Sequence, residues 1–356
     1  MRNAAISGLF LVAIIVALSL GRNFFLPVAL AVTLALMLRP VVRLLHRIHI
    51  PESLGAGIVV GGVIGLLVVA GTALFEPAMD WARRAPETLR DAGIKLRQLQ
   101  RSVEDFDRAA EEVEKLTESD GDRVPAVQIQ EEDWQTTLAR FTADALGSAA
   151  ITVALLYFLL ATRARLLHKA LAMLVSPEQR ANKASVVTET EQQVSRYLFT
   201  ISVINILLGV AVAAAMWAWG MPNAVLWGVM AALLNFVPYL GAMVGVAITL
   251  LVAAVSFEDL RWVGVPLTYL TLTSVEGTFV TPSVLGRNFS LDPVVVLLWL
   301  VFWGWLWGIG GALLAMPMLV MLRIISGRAP ALRTVARLLS NEDAPRAGQP
   351  STASQA

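Results

Sequence analysis

The chain has 356 residues, 56% of them hydrophobic and 15% charged, with a net charge of +1 and a mean hydropathy of +0.66. A soluble domain carries roughly 25% charged residues, so this is the composition of a membrane protein, and a charge so near zero leaves no footprint for a nucleic-acid partner. The absence of Cys excludes disulfides, thiolate catalysis and cysteine metal sites together.

Three apolar runs come first, at about 4–21, 24–45 and 54–77. Runs of about 17–25 residues fit the length a helix needs to cross the hydrocarbon layer. Without water the backbone must satisfy itself, which demands helices, and the alternating pattern of a β-barrel is absent. The first run lacks a small-x-small cleavage site, so it reads as a span rather than a signal peptide. Arg39, Arg43, His46 and Arg47 form a basic cluster between the second and third runs, read here as a short cytoplasmic loop. That places the N-terminus inside and residue 78 outside. Gly57, Gly61 and Gly65 make a small-residue face suited to close helix packing.

Residues 78–140 differ in kind, with 15 acidic and 10 basic side chains. Leu89, Leu96, Leu99, Val103, Phe106 and Val113 follow a heptad seam. It would pack against a second helix near 131–145, lie on the membrane, or pair with other subunits. The segment reads as a small extracytoplasmic helical domain. A fourth span, 141–162, returns the chain to an inner side marked by Arg163, Arg165, Lys169, Arg180 and Lys183. Ser176 to Gln179 read as the start of a helix that feeds directly into the next span.

From Tyr197 to Leu322 only six residues are charged: Glu258, Asp259, Arg261, Glu276, Arg287 and Asp292. The apolar blocks 223–256 and 294–325 are too long for one span and short for two. Pro238 to Gly241 interrupt the first and Gly308 to Gly311 the second. Such broken segments mark the binding region of many transporters, as re-entrant hairpins or discontinuous helices; plain short spans are the alternative. The Arg-bearing end of the chain reads as cytoplasmic and, from Ala344, as a Pro/Gly/Ser-rich tail.

The expected fold is an all-α polytopic membrane bundle of about 7–8 segments. Its parts are N-terminal membrane helices (1–77), the extracytoplasmic helical domain (78–140), a C-terminal membrane bundle (141–325) and a tail (326–356). No Gly is followed by Lys, so there is no Walker A loop and no nucleotide motor. His46 and His49 have no third ligand nearby, and three histidines support no Ser/His/Asp grouping, so neither a metal, a cofactor nor an enzyme is expected. Trp299, Trp303, Trp305 and Trp307 read as an interfacial belt or lipid-facing packing.

Asn235-Phe236-Val237-Pro238-Tyr239-Leu240-Gly241 resembles a signature of the autoinducer-2 exporter family, the PerM-like permeases. Glu276-Gly277, the run Thr281 to Gly286 with Leu291-Asp292-Pro293, and the run Gly308 to Pro317 resemble its later motifs, and Arg39-Pro40 with Ile50-Pro51 also fits. The resemblance covers residues 1 to about 325. Ala242 stands where the family usually has Pro, and Thr278 where it usually has Asn. The resemblance implies a homo-oligomeric transporter of the inner membrane. Members of the family have been linked to autoinducer export and, in some cases, to sodium/proton antiport.

The residues expected along a substrate or ion path are Glu276, Asn235, Pro238, Gly241, Pro282, Gly286, Arg287, Asp292, Gly310 and Pro317. Pro238 lacks an amide donor and would free a carbonyl one turn upstream, so that carbonyls and the Asn235 amide could hold a cation or a hydroxylated solute. A carboxylate at mid-membrane costs about 2.5–3.5 kcal/mol and usually faces a cavity or a partner. Glu276 would therefore exchange a proton or bind a cation, unless Arg287 locks it as a counter-ion. The leading expectation is a transporter of a small solute or ion. The alternatives are a sodium/proton antiporter and a non-transporting scaffold that recruits partners through 78–140.

Overall fold

The computed structural model describes residues 2–111, 134–174, 179–285 and 292–328. Among them every regular element is a helix. Five helices are long and apolar enough to cross a membrane, and the chain is a multi-pass helical membrane bundle.

Helix α1 (Arg2–Leu20) turns at Gly21 into α2 (Arg22–Arg47). The basic cluster expected in a loop lies instead on the last turns of α2: Arg39, Arg43, His46 and Arg47 are all helical, and only residues 48–51 connect to α3. Placing cations over the terminal carbonyls of a helix is favourable, and the apolar positions between them keep the helix packed. Pro40 sits inside α2 without an amide to offer the Leu36 carbonyl. The Ser195 hydroxyl of α5 donates to that carbonyl at 2.6 Å, so the missing bond is made by a neighbouring helix.

Helix α3 (Glu52–Glu111) runs 60 residues without interruption. At 1.5 Å per residue that is about 90 Å, three times the hydrocarbon thickness, so the span and the charged segment after residue 78 share one helix. The seam side chains at 89–113 and the 112–133 connection lie outside the described residues. Helix α4 (Trp134–Leu174) packs beside α2 and α3 through Leu156 and Leu160 against Ala56, Val59 and Val60. On α3, Gly61 and Gly65 meet nothing within 4 Å, so the glycine face stays open to the surroundings of the chain.

Helix α5 (Arg180–Ala218) begins after Gln179; Ser176 to Glu178 lie outside the described residues. Helix α6 (Ala224–Leu234) runs back along α5. Gly209 and Gly228 face each other so closely that a Cβ on either would meet the other's carbonyl. Eleven residues give α6 about 16 Å, half a span. The chain then turns through 235–239 into α7 (Leu240–Ser256). The loop after α7 returns to the end where α5 finished, for Phe257 packs with Met216 and Met221, and Trp219 donates to Thr268 at 3.0 Å. Helices α6 and α7 are therefore a hairpin that leaves and re-enters one end of the bundle. At that end Arg261 holds both carboxylate oxygens of Asp259, at 2.9 and 2.8 Å, and these bonds keep the exposed carboxyl below its ordinary pKa.

Helix α8 (Arg261–Val275) continues through a π-helical turn (Glu276–Val280) into α9 (Thr281–Leu285), one helical run of the expected span 262–283. Helix α10 (Pro293–Arg328) breaks at Gly308, whose φ of 66° favours glycine. Its two halves fold against each other, with the Trp299 indole donating to the Ala315 carbonyl at 2.9 Å. Three of the four tryptophans are not the expected belt. Trp303 and Trp307 are buried and Trp299 half-buried within this hairpin, and only Trp305 is exposed. The Trp307 indole also donates to the carbonyl of Leu18, an orphan acceptor in the last turn of α1, at 3.1 Å. Both apolar blocks that the sequence left open are hairpins.

Gly241 starts the return arm of the first hairpin so close to Leu234 that any Cβ would collide with the Leu234 carbonyl. Gly241→Ala should therefore destabilise the protein by about 1–3 kcal/mol, read as a lower Tm in detergent. An unchanged Tm would show that the hairpin can open without cost.

Candidate functional site

The tip of the α6–α7 hairpin is built by its own sequence. Asn235 ends α6, its amide still bonded to Ala231, and the next amides bond three residues back rather than four: Phe236 to Leu233 and Val237 to Leu234. The Leu234 carbonyl, one turn before Pro238, is thus taken up by Val237 at 2.8 Å, and the freed acceptor expected there does not exist. Tyr239 adopts φ 62° and ψ −58°, closed by a Leu240 to Pro238 bond of 2.7 Å. This is the strained γ-turn of positive φ, held by a non-glycine residue of the kind that clusters at working sites. Val237 packs against the tryptophan cluster of α10, which anchors the tip.

The α8–α9 run is deformed where it faces that tip. An α-helix would drive the ring of Pro282 into the carbonyl four residues earlier, at Thr278. The π-helical turn at 276–280 adds a residue to the turn and relieves the conflict, with the Thr281 amide bonding back to the Glu276 carbonyl. Glu276 begins this turn. Its side chain is only 8% exposed.

Two elements deliver donors to the carboxylate. The Asn235 amide nitrogen donates to Glu276 Oε2 at 3.1 Å, and the Thr281 hydroxyl donates to Oε1. The same Asn235 nitrogen donates to Oδ1 of Asn205 on α5 at 2.9 Å. Asn205 is 1% exposed and its own amide nitrogen has no partner among the described residues. The result is one carboxylate, two carboxamides and a hydroxyl at the junction of three helices. No cation pairs with Glu276 among the described residues, and no group of His, Cys, Asp and Glu there could hold a metal.

The family model for AI-2E family transporters matches residues 9–330, nearly the whole chain. The chain belongs to the AI-2E transporter family. It is 25% identical over 334 residues to the AI-2 transport protein TqsA of Escherichia coli K12, covering 93% of each chain. A Haemophilus influenzae protein, named for transport without a substrate, is 31% identical over 194 residues, 54% of this chain and 55% of its own length. The E. coli K12 protein YhhT is 24% identical over 309 residues, 86% of this chain and 85% of its own. The chain thus spans about half of the Haemophilus influenzae relative and most of the two Escherichia coli ones.

Within this AI-2E chain the expected path residues fall into separate places. Asn235 and Glu276 meet, with Pro238 and Gly241 shaping the tip beside them and Pro282 the distorted turn. Gly286 and Arg287 lie outside the described residues. Asp292 caps α10, accepting from the amides of Val294 at 2.7 Å and Val295 at 3.3 Å. Gly310 packs on Leu26 of α2, and Pro317 is buried in the second arm of α10. Sequence reasoning missed Asn205. Its signal was a lone carboxamide within the apolar run 201–219, a placement that costs free energy unless the side chain has work to do.

Thr281→Val keeps the shape and removes one donor from the carboxylate. A buried acceptor left unsatisfied costs about 1–3 kcal/mol, so the variant should melt earlier in detergent while Thr281→Ser melts like the wild type. Equal Tm values for Val and wild type would mean that the hydroxyl does not hold Glu276.

Proposed function

We propose that this membrane transporter carries a small hydroxylated solute, with Glu276, Asn235 and Asn205 as the binding centre and Glu276 as its proton-exchanging group. The observation that carries the reading is a buried carboxylate held, among the described residues, by neutral donors beside an amide donor, that of Asn205, with no partner among them. A hydroxyl group both donates and accepts, so it answers the carboxylate and the free amide at once. The name of TqsA, a relative along nearly the full length, favours an AI-2 signal molecule as cargo. The family membership favours transport over a scaffold role.

A second reading has an observation of its own. The carboxylate, the Thr281 hydroxyl and the Asn205 amide oxygen form an oxygen-rich cluster suited to a sodium ion exchanged against a proton. Purified protein in proteoliposomes separates the two. On the first reading a gradient of AI-2 or a small polyol drives flux, and Glu276→Gln slows it at least about tenfold with its Tm unchanged. Sodium-driven proton movement without solute flux would establish the second. Wild-type rates for Glu276→Gln in both assays would sink both.

The end of the bundle carrying Arg39, Arg43, Arg47, Arg163 and Arg196 is the cytoplasmic one by the positive-inside rule, which puts both chain ends inside and the extension of α3 outside a bacterial inner membrane. The open glycine face of α3 is the surface for a second copy of the chain. Because the chain has no Cys, single cysteines test both ideas. A cysteine at 84 should label from outside, and one at 61 should cross-link to another copy. Labelling of 84 from the cytoplasm alone would invert the topology, and monomers only at 61 would remove the interface.

A further inference from the structure

A second polar cluster, one the transport reading does not use, lies at the Arg-rich end. Helices α2, α4 and α5 enclose a cavity of about 690 Å³ there, within the range of sites that hold small ligands. Its walls carry five arginines, Arg39, Arg43, Arg47, Arg163 and Arg196, against two carboxylates, Glu52 and Glu191. Glu191 is already engaged. It accepts from Arg163 Nε at 2.6 Å and from a second Arg163 nitrogen, and it also pairs with Arg39. One carboxylate therefore fixes two guanidiniums and neutralises only one.

The remaining arginines are differently placed. Arg43, Arg47 and Arg196 are exposed on the rim and make no ion pair with a described residue. Deeper in, the wall turns apolar, with Val32, Leu36, Leu159 and Phe199. A cationic mouth over an apolar floor between membrane helices matches an anion that is phosphate-bearing, either on a lipid whose chain enters the groove or on a free solute. Guanidinium groups bind phosphate through paired N–H donors, and two of the five here are held in place before any ligand arrives.

We propose that this cavity is a phosphate-binding site, formed by the free rim arginines over the Arg39–Glu191–Arg163 lock. Because binding to the folded state alone raises its stability, Tm reports occupancy. Two arms separate the sources: inorganic phosphate added to full-length protein in neutral detergent, and phosphatidylglycerol mixed into phosphatidylcholine nanodiscs in phosphate-free buffer. Tm should rise in at least one arm, and the responding arm names the source. Combined Arg43→Gln, Arg47→Gln and Arg196→Gln changes leave the Arg39–Glu191–Arg163 lock intact. They should weaken binding on the order of a hundredfold, at about 1 kcal/mol per arginine, while the triple Lys variant retains most of it. No rise in either arm, or an undiminished rise in the triple Gln variant, would overturn the site.

Discussion

No water reaches the hydrocarbon layer, so every backbone group that leaves the regular helical ladder there must find its partner inside the protein. That constraint organises the bundle. Pro40 removes an amide from α2 and the Ser195 hydroxyl takes the orphaned Leu36 carbonyl. Helix α1 ends at Leu20, and Trp307 reaches across from α10 to its Leu18 carbonyl. The Pro238 break is closed locally by the amide of Val237. The first two interruptions are tied to a side chain of another helix, and the third is closed within its own turn.

The same constraint sorts two acids, the half-buried Glu191 and the buried Glu276. Glu191 is flanked by Arg39 and Arg163, which fix its position; it acts as a clamp between three helices. Among the described residues Glu276 meets neutral donors only. Its donors come from two elements, the α6–α7 tip and the start of α9, and the tip is tied in turn to Asn205 on α5, so any shift of the hairpin changes what the carboxylate meets.

Structural tension is concentrated at this point. Tyr239 holds a positive φ without being glycine, the π-helical turn departs from α geometry beside Pro282, and Gly241 leaves no room for a side chain. Strain of this kind persists only where the surroundings over-determine it. Here the surroundings are the tryptophan cluster of α10 behind Val237 and the tight α5–α6 contact at Gly209 and Gly228.

The sequence by itself determined the class of molecule, because apolar length and the scarcity of charge report directly on the bilayer. It also marked the breaks at 235–241 and 308–311 and singled out Glu276, since Pro, Gly and an isolated acid in an apolar run are local signals that need no knowledge of neighbours. The tertiary structure alone decided who meets whom. Asn205 lies 71 positions before Glu276, and only the doubling-back of α6 along α5 brings them to one amide, Asn235. The Leu234 carbonyl looked free because Pro238 lacks an amide, yet the bend that Pro238 imposes delivers another donor to it. The tryptophans looked like a belt because composition cannot tell an indole facing lipid from one folded into a hairpin. Arg39 looked like a loop cation until Glu191, 152 residues away, closed on it. Contacts between distant segments depend on how helices cross, and crossing geometry is set by packing that no short stretch of sequence contains.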